Sequence, residues 1–121
     1  SAAMAEAGPD PVAEYVAAQA QSQPVPRRIR AAAVRRLLAE LAERAPGRSV
    51  EVRIPPDGVV QAVPGPPHRR GTPGAVVEMT PDAFLALALD RATWQQLTAQ
   101  GAVLASGERA DLSQYFPLRR R

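Results

Sequence analysis

No cysteine occurs in this chain, which excludes disulfides, thiolate metal ligands and cysteine nucleophiles together. Lysine is missing too, and all fifteen basic residues are arginine. With the alanine and proline load, that bias reads as a GC-rich gene rather than a design for phosphate binding. Histidine occurs once, as His68, so no second imidazole can complete a triad or a metal site. No serine sits in a nucleophile elbow, and no carboxylate pair stands near His68. The expectation is therefore a non-enzymatic protein with no cofactor and no metal. Aromatic residues are limited to Tyr15, Phe84, Trp94, Tyr115 and Phe116, so the core must be aliphatic. The longest apolar run, Ala83 to Leu89, is far below the roughly 20 residues of a bilayer span, and no integral membrane segment is expected. The first residues show neither a basic n-region nor an apolar h-region, so a secretory signal is not expected and the cytoplasm is the default location.

What is present fits one domain of 121 residues with a net charge of +3. Three of the arginines, 119–121, are read as a frayed, solvated tail. Asp10-Pro11 signals a helix start, and Val12, Tyr15, Val16 and Ala20 give a weak apolar stripe to about Gln21. Residues 1–26 are thus an N-terminal arm with a helix, closed by Pro24 and Pro26. From Arg28 to Ala45 runs the strongest amphipathic helix, with Val34, Leu37, Leu38, Leu41 and Ala45 as its stripe. Arg36, Glu40 and Arg44 follow its flank at i, i+4, a spacing that predicts favourable pairs. Arg27, Arg28, Arg30, Arg35 and Arg36 have no helix-turn-helix spacing or aromatic platform beside them, and are read as a solvated face with no nucleic-acid partner.

Alternation predicts a strand at Ser49–Ile54 with Val50, Val52 and Ile54 inward, a Pro55–Gly58 turn, and a returning strand at Val59–Val63. Pro64–Gly74 holds four prolines and three glycines and is read as a long loop. His68, Arg69 and Arg70 on it are head-group candidates, set against the plainer reading of polar surface. A strand follows at Ala75–Met79. Thr80-Pro81-Asp82 then opens a helix whose body, Ala83 to Leu89, is apolar nearly all round. Such a helix is covered on both sides, by core and by another helix, a second copy of the chain or the contents of a cavity. A short helix capped by Thr93 and stopped by Gly101, a strand at Ala102–Ser106, and a last turn capped by Asp111 complete the pattern. The fold class is α+β, a largely antiparallel sheet of four or five strands covered by helices.

The order from the strand through T-P-D-A-F-L-A-L-A-L-D, the short helix and Q-G-A-V-L-A-S-G-E resembles the C-terminal half of the sterol carrier protein family. Arg44–Arg53 and Gly71-Thr72-Pro73 look like a bacterial, actinobacterial branch of it, and the resemblance covers residues 27–118. It implies a sterol-carrier-like domain over 27–121 and a sheet of five strands under helices, of which four are clear here. It also implies binding of a lipid, fatty acid or other apolar small molecule in an internal pocket. The candidate lining is Leu85, Leu89, Trp94, Leu97, Leu104, Leu112, Phe116 and Leu118, large apolar groups on short elements. From the residues alone, these side chains filling one another's space is the favoured reading; the resemblance brings a hollow to parity with it. Two other readings stay open: an interaction or homodimer module without ligand, and an accessory domain acting with a separate enzyme.

Overall fold

A computed structural model describes residues 8–66 and 74–120. Helix α1 covers Pro11–Gln19, with the Asp10 side chain accepting from the backbone N–H of Val12 at 3.0 Å. Two buried side chains, Val12 and Tyr15, fix it to the core, and Tyr15 accepts a hydrogen bond from Gln19. Helix α2, Arg27–Arg44, starts after Pro26 and buries Ala33, Val34, Leu37, Leu38 and Leu41, the stripe that its period predicts.

Strands β1 (Val50–Ile54) and β2 (Gly58–Ala62) form an antiparallel hairpin, with Val52 opposite Val60. Asp57 in its turn is buried and receives two bonds from Arg30, at 2.8 and 2.9 Å. The turn into β1 leaves no room for a side chain at Gly47, where a Cβ would stand 2.2 Å from the Val63 carbonyl oxygen. Strand β3 (Ala75–Glu78) lies parallel to β1, and β4 (Leu104–Ser106) lies antiparallel to β3. The order is β2-β1-β3-β4, an α+β fold on a four-stranded mixed sheet in which two of three pairings are antiparallel.

Helix α3 (Pro81–Ala88) begins where Thr80 Oγ1 accepts from the Ala83 N–H at 3.2 Å. Its cover comes from the chain itself: Phe84, Leu85, Leu87 and Ala88 are all buried, and Phe116 meets Phe84 edge to face at 6.2 Å. Helix α4 (Trp94–Ala99) carries a complete capping box between Thr93 and Gln96. A 3-10 turn at Ser113–Tyr115 follows, its first N–H bonded to Asp111.

Of the tail expected to fray at 119–121, Arg119 is instead tied down, Arg120 is exposed, and Arg121 lies outside the described residues. Leu118 and Arg119 both donate backbone N–H bonds to the Ala88 carbonyl, at 3.0 and 2.9 Å. Arg44 holds the carbonyls of Tyr115, Pro117 and Leu118, and Arg119 pairs with Asp10 and Glu40. The i, i+4 pairing expected along α2 is replaced by these distant partners, because closing the C-terminal segment over α2 brings carbonyls and an arginine within reach of that flank. Among the described residues no helix is long and apolar enough to cross a membrane.

Candidate functional site

A cleft of about 660 Å³, open to solvent, runs between α1 and the segments around Leu89 and Arg119. Its apolar lining is Val12, Ala13, Val16, Ala17 and Leu89, and its rim carries Arg91, Arg119 and Arg120. That volume lies within the range of about 300–1,000 Å³ usual for small-molecule sites, which join an apolar lining to a few polar groups. The α1 stripe divides to make it: Val12 and Tyr15 turn into the core, while Val16 stays 39% exposed beside the cleft.

The cleft is spanned at both ends. Arg119 reaches Asp10 at 2.5 Å, and the same guanidinium holds Glu40 of α2 at 2.5 Å, with Arg36 3.6 Å from Asp10. Hydrogen bonding to Glu40 and then to Asp10 raises the Arg119 pKa, and the bond from Arg119 lowers that of Asp10. At the other end Arg91 donates to the side-chain amide oxygen of Gln19. Arg91 is placed there by the end of α3, where Asp90 takes φ +65 and the Arg91 N–H bonds back to the Ala86 carbonyl at 2.8 Å. Burial between these elements pushes the Tyr15 phenol up from its ordinary value.

Three smaller clefts lie elsewhere. One of about 410 Å³ opens between α4 and β4, lined by Trp94, Thr98, Val103, Ala105 and the 107–111 turn. Another, about 260 Å³, brings Trp94 and Phe116 together with Leu87 and Asp90. A third, about 240 Å³, includes Leu104, Met79 and Pro55.

The eight lining candidates do not gather around one of these spaces. Leu89 borders the largest cleft, Trp94 lies between two smaller ones, and Phe116 shares the second of those. Leu85 and Leu112 are enclosed by protein, and Leu97 and Leu118 are buried; none of these four lines any of the four clefts. Leu104 is 64% exposed. Its register opposite Glu78, which itself faces Arg53, sets it on the outer side of the sheet, away from the helices. His68, Arg69 and Arg70 lie outside the described residues. The residues that line the largest cleft and were not anticipated are Val12, Ala13, Val16, Ala17, Arg91, Arg119 and Arg120. The apolar i, i+4 pair Val12 and Val16 was the available signal, but nothing local says that the two point to different neighbours.

A family model described as "bacterial SCP ortholog" matches residues 26–118. The match begins one residue before α2, so α1 lies outside it. No curated protein matches the chain significantly.

Proposed function

The chain belongs to the bacterial SCP ortholog family, and from that premise we propose that it binds a lipid or other apolar small molecule, without catalysis, in the cleft between α1 and Leu89. The observation that carries this reading is the pairing of a small-aliphatic lining with arginines in the largest of the four clefts described among these residues. An alkyl chain laid on Val12, Val16 and Leu89 would leave water, each fully buried methylene contributing about 0.8 kcal/mol. No charged partner is required along the chain, and the cleft's open side lets ligand enter without unfolding.

Native mass spectrometry of protein purified from cells tests the reading. Adducts of lipid mass are expected on the parent protein and absent from an Ala17→Trp variant, in which the indole occupies the cleft from an exposed position on α1. Adducts retained equally by both would place the ligand elsewhere, and a parent protein free of adducts that also ignores added fatty acids would remove the reading. The interaction-module reading has one observation in its favour, the exposed Val59 and Leu104 on the outer side of the sheet. Size-exclusion chromatography with light scattering separates it: a dimer weakened by Leu104→Asp supports it, and a monomer opposes it.

A further inference from the structure

Among the described residues the outer face of the sheet is left open. Val59 and Leu104 on it are 59% and 64% exposed, whereas Val50, Val52, Ile54 and Val77 on the inner face are fully buried. Strand register sets four side chains in one row across the outer face: Val59 on β2, Arg53 on β1, Glu78 on β3 and Leu104 on β4. The row runs apolar, positive, negative, apolar, and reversed end for end it is its own complement in charge. Arg53 directs Nε and Nη2 to Glu51, at 2.8 and 2.6 Å, which leaves its Nη1 donors without a partner among the described residues. Glu78 stands opposite Arg53 in the register, yet its carboxylate has no ion pair among the described residues. At the β4 end of the row, the cleft of about 240 Å³ takes in Glu78, Leu104, Met79 and Pro55. Val59 at the other end presents an exposed aliphatic side chain of a size to enter such a hollow.

Resting on the interaction reading of this face, we propose that its occupant is a second copy of the chain, packed sheet on sheet about a two-fold axis that runs along the strands between β1 and β3. That axis reverses the row, so Arg53 meets Glu78 of the second copy and Val59 meets its Leu104, each contact made twice. Sheets stacked in this way lie about 10 Å apart with strands inclined by about 30°, an offset that is least at the axis and grows toward the edges. Arg53 and Glu78 flank the axis, so their cross-pairs survive the incline. Val59 is farthest from it and is carried beside Leu104 of the second copy, where the hollow lies. The face suits a copy of itself better than a uniformly charged partner, because it holds both signs and both apolar ends in matched positions. None of the residues lining the cleft at α1 belongs to it, so the pair leaves that cleft free.

Sedimentation equilibrium of the full chain measures the pair, and reversing one charge at a time tests its register. The parent protein is expected to dimerise, and Arg53→Glu and Glu78→Arg should each weaken the dimer about tenfold or more, because either change sets like charges against each other twice. An equimolar mixture of the two variants should regain the parent's association, since every contact between positions 53 and 78 then joins opposite charges again. Circular dichroism reports the folding of each variant, and recovery on mixing excludes misfolding as the cause of the loss. Leu104→Asp should weaken the parent dimer as well. A parent protein monomeric even at about 1 mM, where contacts of millimolar strength are still seen, overturns the proposal together with the interaction reading of this face. A dimer weakened by Leu104→Asp but indifferent to both charge reversals overturns the two-fold register and leaves the face an interface. Variants that stay monomeric when mixed do the same. A dimer that none of the three variants weakens lies on another surface and overturns both.

Discussion

Arg119 holds two carboxylates from distant parts of the chain, Asp10 ahead of α1 and Glu40 within α2. All three side chains keep between a fifth and a third of their surface exposed, so solvent screens the pairs and their worth lies near the upper end of a surface network, about 1 kcal/mol. Arg119→Gln should lower stability by that amount in urea denaturation at pH 7. Asp10 has its pKa lowered in the folded protein by the Arg119 hydrogen bond, against an ordinary value of 3.8. A lowered carboxylate contributes stability that is present above the unfolded value and lost as pH falls through the folded one. The gap between parent and Arg119→Gln should therefore close as the pH is taken below 3.8, and a gap that widens there would contradict the pairing. Asp57 is the more buried case, with its side chain 1% exposed against Arg30. Asp57→Ala removes both bonds from an arginine that can still reach water, an expected loss of about 2 kcal/mol, with Asp57→Asn losing less. Neither pair was legible beforehand. The Pro55–Gly58 turn was plain from its residues, but nothing in four turn residues tells that the aspartate turns inward to an arginine on α2.

Elements were easier to read than their partners. The stripe of α2, the β1–β2 hairpin and the Thr80 and Thr93 caps rest on local chemistry, and the structure shows each of them. What local chemistry does not carry is where an element is sent. The Arg36–Glu40–Arg44 spacing is a true helical neighbour relation, yet Arg44 is drawn to the carbonyls at 115, 117 and 118, which otherwise lack a helix to bond within. Strand β4 shows the same limit: its existence was evident, but the parity that turns Leu104 outward is set by pairing with β3. Two predictions belong at this scale. Arg44→Met keeps the apolar stem and removes all three bonds, so amide hydrogen exchange should rise at Leu118 and Arg119 while the α2 core amides stay protected. Thr93→Ala should lower stability by about 1 kcal/mol in thermal or urea unfolding through loss of the α4 capping box.

For the whole molecule, the apolar surface gathered on the last third of the chain is largely consumed in making the core. Phe84, Leu85, Leu87 and Leu112 close on one another and on α2 and the sheet, so the helix that is apolar nearly all round owes its cover to its own chain. Space remains where a short N-terminal helix turns only part of its stripe inward and leaves a wall of small side chains facing Leu89. The fold class could be read from the order of periods and turns, because each strand and helix declares itself. The cleft could not, because it exists only between elements about 70 residues apart, joined by α1 packing outside the region that the family shares. The account predicts that lipid meets protein on that wall. The measurement that asks this most directly is a set of intermolecular nuclear Overhauser contacts between a bound alkyl chain and protein methyl groups. Contacts to Val12, Val16 and Leu89 are the predicted result; contacts instead to Val103 and Ala105, beside the cleft at Trp94, or none to any methyl group, would contradict it.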